Sequence, residues 1–320
     1  MHPDQLAALE AIARAGTFEA AARLLGVSTS AVSQRIRALE SGLGRILIRR
    51  GTPSTMTEEG AVVLRYARQQ ALLAAEMATE LDLDASDGPG DEDGTSGHGW
   101  GRQAVLLTVA VNADSLETWF TGVLRRAVGW QARLELRVAD EARTAELLRS
   151  GQVMCAVSSS GTRVAGCRCE RLGPLRYTPM ASPTVLAAHD GGRAQPGDLP
   201  AVRFDADDDL QDLALAAAGL PGEGARAPRP ARASVPTAAG FAAAIEAGLG
   251  WGMLPPGQLG RHPGLVPVPG LAPVERNLFW HRWSIGSPSL DLLSAAVRAS
   301  FVESSGGADP ARGAAPESSA

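Results

Sequence analysis

Apolar residues recur at three- and four-residue steps through the first quarter of the chain. Leu6, Leu9, Ile12 and Ala13 predict a helix over residues 4–15, ended by Gly16. Thr17 is a helix-capping residue, and Phe18, Ala21, Ala22 and Leu25 share one face of a second helix that Gly26 stops. Ser28 caps a third helix, with Val32, Ile36, Leu39 and Leu43 facing inward and Thr29, Ser30, Ser33, Gln34 and Arg37 on the opposite side. Two short extended runs flank Gly51-Thr52-Pro53-Ser54-Thr55 and predict a two-stranded wing. Thr57-Glu58-Glu59-Gly60 then opens a long helix to about Leu83, with Val62, Val63, Tyr66, Leu72, Leu73 and Met77 available for packing.

After residue 103 the pattern changes from helical stripes to short β-rich runs alternating with helices. Residues 104–111, 134–138 and 153–157 predict strands, with helices from about Ser115 and over Glu141–Ser150 between them. This rhythm implies a parallel sheet. A second half starts near Met180. It holds strands at 201–204 and 233–235, a helix after Asp208 and another over Thr237–Ala247, and a return strand within 248–254. Leu278-Phe279-Trp280-His281 is a further strand and Leu290–Phe301 a closing helix. The organisation read from this pattern is a winged helix-turn-helix over 1–58 and a linker or dimerisation helix over 59–83. An acidic Gly-rich flexible linker spans 84–102. A two-lobed α/β unit spans 103–302, its second lobe at about 180–270, and a disordered tail fills 303–320.

Charge changes the picture in one respect. The chain carries a net charge of −5, so a DNA-facing surface requires a local basic patch. Residues 28–50 supply it: Arg35, Arg37, Arg45, Arg49 and Arg50 stand against the single acid Glu40. No lysine occurs, and arginine fills every cationic role. Cys155, Cys167 and Cys169 form no disulfide framework or metal-knuckle spacing, and no metal site is expected. The chain opens directly into an amphipathic pattern and lacks a run long enough to span a membrane, so a cytoplasmic protein with no membrane partner is expected. Catalytic signatures are absent: there is no phosphate loop, no Gly-x-Ser-x-Gly elbow and no His-Glu-x-x-His pair. An enzyme is therefore not expected, and no cofactor is implied.

Reading the major groove needs short polar side chains near a helix N-terminus. Ser28, Thr29, Ser30, Ser33 and Gln34 supply them, Arg37 suits phosphate or guanine, and Arg49 and Arg50 on the wing suit the backbone or minor groove. The run from Ala13 through Arg50, including Gly16–Ala22, Ser30-Ala31-Val32-Ser33, Leu39-Glu40 and Leu47-Ile48-Arg49-Arg50, resembles the winged helix-turn-helix of LysR-type transcriptional regulators. Thr57-Glu58-Glu59-Gly60 extends the match. Ile46-Leu47-Ile48 departs from it where a Leu-Phe pair is usual, which bears on wing packing.

The resemblance implies an effector domain shaped like a periplasmic binding protein, joined to the head by the long helix. It also implies a dimer or tetramer on double-stranded operator DNA, and it places RNA polymerase among the partners to consider. Ligands of such domains bind between the lobes, at strand ends and helix starts. Residues 111–120, the run Asp140–Thr144, Gly248–Pro255 and residues 279–283 resemble the branch that senses lysine or arginine and controls export of basic amino acids. The effector residues this implies are Asn112, Asp114, Ser115, Asp140, Glu141 and Asp205. From the residues themselves, Ser115 and the helix amides suit a carboxylate, while Asp114 suits either helix capping or an amino group. The acids of 140–141 and 205–209 suit a helix's first turn, a solvated face, or a cationic ligand.

Overall fold

The computed structural model describes residues 1–82, 105–139, 141–188, 195–220 and 232–306. The expected 84–102 linker, Asp140 and residues 307–320 lie outside these, as do the side chains of Glu141, Ala142, Ser305 and Gly306.

The N-terminal unit packs α1 (Pro3–Ala15), α2 (Phe18–Leu25) and α3 (Thr29–Leu43) around one core. Local chemistry sets each boundary. Thr17 Oγ1 accepts from Ala20 N at 3.1 Å and Ser28 Oγ from Ala31 N at 3.2 Å, satisfying amides that a helix start leaves bare. Gly26 closes α2 in the left-handed conformation at φ 64°, which turns α3 across α2. The apolar stripes meet in a cluster containing Leu9, Ile12, Ala21, Val32, Ile36, Leu39, Leu47 and Leu64. Leu43, expected inside, is exposed, because α3 has run past the core by that turn.

The wing pairs β1 (Ile48–Arg49) with β2 (Thr55–Met56) antiparallel. Glu40 accepts Leu47 N at 2.8 Å and Ile48 N at 3.3 Å, so the lone acid of the basic stretch fastens the wing to α3. Leu47 and Ile48 are buried while Ile46 is exposed. The long helix α4 (Glu58–Glu80) is capped by Thr57 and ends short of Leu83. It packs through Leu64, Ala67, Leu72 and Ala78. Val62, Tyr66, Leu73 and Met77, expected to pack, are exposed.

Next come β3 (Val105–Val111), α5 (Ala113–Glu117), α6 (Thr121–Ala127), β4 (Ala132–Val138), α7 (Glu141–Arg149), β5 (Cys155–Ser158), β6 (Cys167–Ala181) and α8 (Pro183–Ala188). They are followed by β7 (Val202–Arg203), α9 (Leu210–Ala217), β8 (Ala233–Ser234), α10 (Ala238–Glu246), β9 (Gly252–Leu254), α11 (Pro256–Leu259), β10 (Val266–Pro267), β11 (Val274–Trp283) and α12 (Pro288–Gly306). β3 runs parallel to β4 and β5, as the alternating rhythm predicts. The sheet is nevertheless mixed, because β11 returns antiparallel to both β5 and β6. The fifteen-residue β6 had no periodic signature and was not expected. It pairs with β11 as far as Tyr177↔Val274, then with β9 from Thr178↔Leu254 and with β10 at Met180 and Ala181. One strand therefore belongs to both lobes, and Tyr177–Thr178 marks the crossing. α12 extends to Gly306, beyond the expected Phe301, and Trp280 Nε1 donates to Ser294 Oγ on it at 3.0 Å.

The long helix is seated on the α/β unit. Leu72 joins the large core with Val105, Leu107, Trp283 and Leu293. Arg68 donates to Gly151 O at 2.6 Å and lies 3.7 Å from Glu10 of α1; Arg65 donates to Ala165 O at 3.0 Å. Glu76 accepts Ser287 Oγ at 2.6 Å and Ser289 N at 2.9 Å at the start of α12. A carboxylate there also meets the positive end of the helix dipole.

Candidate nucleic-acid interface and effector cleft

The outer face of α3 is polar and open. Ser28, Ser30, Gln34 and Arg37 are exposed, and Thr29 and Ser33 are half-buried beside them. Ser28 and Ser30 hydroxyls meet at 2.9 Å, which orders the first turn. Arg35, one of the five arginines of the basic stretch, instead turns inward to Asp4 at 3.4 Å and ties α3 to α1. Arg49 and Arg50 are exposed on the wing, and the Arg50 guanidinium lies 5.0 Å from the centre of the Phe18 ring. That cation–π contact holds the guanidinium itself against the ring, while the residue remains exposed. The fold thus groups Ser28, Ser30, Gln34 and Arg37 with a wing carrying Arg49 and Arg50. Burial of Leu47 and Ile48 under α4 sets the height of the wing relative to α3.

The other cluster lies at the end of β3, where the lobes meet. α5 contacts α10 of the second lobe. Thr118, just past α5, lies 2.9 Å from where a Cβ on Gly257 of α11 would stand. Asn112 is the residue before α5 but makes no side-chain cap, and its buried Oδ1 has no protein partner. Ser115 is fully buried and its Oγ is also unpartnered. With only five residues, α5 offers little dipole to an anion, so a carboxylate at its start would rest mainly on the Ser115 hydroxyl. Asp114 does not cap the helix either. Burial lifts its carboxyl from the ordinary aspartate range to about 6; the Tyr177 hydroxyl, donating a hydrogen bond, opposes that rise. Asp208 and Glu117 push it further up and Arg276 pulls it down. Burial, with the Asp114 charge second, pushes the Tyr177 phenol well above its ordinary value.

The acidic run at 205–209 is engaged locally at the entry to α9. Asp205 accepts the amide of Asp207 at 2.9 Å, folding back on its own turn. Asp208 accepts Phe204 N at 2.9 Å and Leu210 N at 3.2 Å, shaping the entry to α9, yet its charge still reaches Asp114. Asp209 pairs with Arg276 of β11. Asp208 is the second-lobe acid whose charge acts on Asp114, while Asp205 is engaged in the turn that its carboxylate makes with the Asp207 amide. Asp140 and the Glu141 side chain lie outside the described residues. Tyr177 and Arg276 were missed altogether: both sit on the long antiparallel strands, far in sequence from Asp114, and only the pairing of β6 with β11 brings them to it.

Other groups are structural. His281 is buried, with Nε2 2.8 Å from Ser160 O, and burial lowers its pKa. The three cysteines are free thiols, and burial raises the pKa of each. Among the described residues no group of His, Cys, Asp and Glu is arranged to hold a metal ion, and no helix is long and apolar enough to cross a membrane.

With this geometry in place, known proteins give a consistent comparison. Residues 3–61 match the bacterial regulatory helix-turn-helix proteins of the lysR family, and residues 102–302 match the LysR substrate binding domain. The lysine export transcriptional regulatory protein LysG of Corynebacterium glutamicum is 38% identical over 309 residues, covering 95% of this chain and 99% of that protein. The solved structure of that organism's full-length LysG with bound effector Arg is similar at TM-score 0.71 and 35% identity, over 95% of this chain and 99% of that one. ArgP from Mycobacterium tuberculosis is similar at TM-score 0.75 and 34% identity, over 93% and 96%.

Proposed function

The chain belongs to the LysR family of bacterial transcription regulators, which bind DNA and are not enzymes, and on that premise we propose that it answers to a basic amino acid. In this reading lysine or arginine is the effector, and the controlled gene encodes a basic amino acid exporter. The observation that carries it is Asp114, a desolvated carboxyl between lobes, with Asp208 and Glu117 adding negative potential. Such a site favours a ligand that brings positive charge and N–H donors. The relative solved with Arg bound supports the same ligand class.

On the DNA side, Ser28, Ser30 and Gln34 approach base edges, with Thr29 and Ser33 flanking them. Arg37, Arg49 and Arg50 engage phosphates or the minor groove. A second copy of the chain covers the exposed stripe Val62, Tyr66, Leu73, Met77 and Leu81 along α4, whose spacing keeps one apolar face along the helix. Paired heads then read two half-sites of the operator, and two such dimers make the tetramer. Ligand closing the lobes changes the packing beneath α4, which carries the head.

Calorimetric titration with L-arginine and L-lysine, together with footprinting upstream of an adjacent exporter gene, tests this reading. Binding of either amino acid with an altered footprint supports it. Heat only with an unrelated metabolite refutes the basic effector and leaves the DNA-binding regulator intact.

A further inference from the structure

We propose that Tyr177 is a positioning residue of the effector site: its hydroxyl holds the Asp114 carboxylate at the crossing between lobes, ready for the ligand's cationic end. This rests on the reading of the cleft as a basic amino acid site and adds to it a residue that no sequence pattern marks.

Several observations place Tyr177 in this role. It is the last residue of β6 paired with β11, while Thr178 next to it is the first paired with β9. A change in the angle between lobes acts at this joint and at the return from β10 to β11. Its side chain is buried, so the hydroxyl needs a partner, and that partner is Asp114. The charged and titratable groups acting on the Asp114 carboxyl come from α5, β6, β11 and the turn before α9, while α10 and α11, which also pack here, add none. The groups are Tyr177 on β6, Glu117 on α5, Asp208 before α9, and Arg276 on β11.

Arg276 is already committed to Asp209, so it does not neutralise the site alone. Buried oxygens without a protein partner occur on both lobes: Asn112 Oδ1 and Ser115 Oγ on the first, Gln211 Oε1 and Gln258 Oε1 on the second. Residues Ser115, Gln211 and Gln258 are all nearly or wholly buried. Amide and hydroxyl oxygens of this kind can accept hydrogen bonds from an ammonium or guanidinium group.

A consequence for protons follows. An isolated buried carboxyl favours its neutral form, which binds a cation poorly. The Tyr177 hydroxyl donates to the ionised form and so keeps the carboxyl closer to ionisation at neutral pH. The arriving cation completes that ionisation, and the proton leaves to solvent. Removing the hydroxyl raises the carboxyl's pKa. Binding must then expel a proton over a wider pH range, and the loss of affinity grows as pH falls.

The test is isothermal calorimetry on the full-length protein with L-arginine, and with L-citrulline as its neutral isostere, at pH 6 and pH 8.5. At pH 6 it is repeated in two buffers of different ionisation heat. The native protein should bind arginine over citrulline and release about half a proton per ligand at pH 6. Tyr177→Phe should lower arginine affinity about fivefold or more at pH 6 but less than about twofold at pH 8.5, following a rise of about one unit in the carboxyl pKa. Asp114→Asn should remove both the proton release and the preference over citrulline.

An equal loss for Tyr177→Phe at both pH values means a purely structural role and overturns the proposal. No loss at either pH overturns it too. In both cases arginine binding by the native protein would leave the basic-effector reading standing. Failure of the native protein to bind arginine or lysine removes that reading, and this inference with it.

Discussion

Gly60→Ala sets two effects of opposite sign against each other. In an exposed helix the change is stabilising by about 1 kcal/mol, because alanine loses less backbone entropy. Gly60 lies in the first turn of α4, where the helix crosses the wing. An added Cβ would stand 2.0 Å from Leu47 O and 2.9 Å from its carbonyl carbon. An ordinary C···O approach is about 3.3 Å, so helix and wing must part by about 1 Å. The neighbours are backbone atoms, which cannot rotate away. Separation also stretches the 2.9 Å bond from Thr57 N to Leu47 O, worth about 1 kcal/mol, and loosens Leu47 and Leu64 in the core. Overpacking of this kind costs about 1–3 kcal/mol or more. The net expectation is a head destabilised by about 1–3 kcal/mol.

Gly42→Ala provides the control. It sits near the end of α3 with nothing within 4 Å of a new Cβ, so it should stabilise the head by about 0.5–1 kcal/mol. Urea unfolding separates the units without truncation, because all six tryptophans lie at or beyond Trp100. Tryptophan fluorescence therefore reports the effector domain. Far-ultraviolet circular dichroism and hydrogen exchange of α2 and α3 peptides report the head. Opposite shifts in the head signal, with the tryptophan transition unmoved, are expected. A Gly60→Ala head as stable as the native one, or more stable, refutes the close-approach argument.

Gln34→Ala should relax sequence preference, costing about 1–3 kcal/mol at the cognate operator, measured by anisotropy against a panel of single-base variants; unchanged discrimination would mean another face reads the DNA. Arg50→Ala should weaken all sequences alike and reduce the slope of log affinity against log salt by about 1. Leu73→Arg, placing a charge in the middle of the exposed α4 stripe, should shift the protein toward monomer in analytical ultracentrifugation while leaving its tryptophan unfolding transition in place. Glu76→Gln keeps the size of the group that bonds Ser287 and Ser289 but removes its charge from the start of α12. It should weaken the seat of α4 on the effector domain by about 0.5–2 kcal/mol, seen as faster hydrogen exchange in the second half of α4.

The head was legible because its information is local. The Thr17, Ser28 and Thr57 caps, the Gly16 and Gly26 stops and the apolar steps between them act within a few residues, so the starts of α2, α3 and α4 and the ends of α1 and α2 follow from the chain read in order, whereas α4 ends at Glu80 rather than near Leu83. The parallel run β3–β4–β5 was legible for a related reason: buried strands are continuous apolar stretches with helices between them. Polar residues on the outer face of α3 could likewise be named in advance, though not that Arg35 would be drawn to Asp4.

What only the tertiary structure decided is non-local. β6 is long, charged along much of its length and interrupted by Gly173 and Pro174, so it lacks the alternation that marks a strand; its partner β11, about a hundred positions away, defines it. That pairing brings Tyr177 and Arg276 to Asp114, and the turn entering α9 sets the Asp208 charge against the same carboxyl. The reason is physical: helix caps and stripes are set by neighbours in sequence, whereas the desolvation and charge that define the cleft depend on which distant strands close around it.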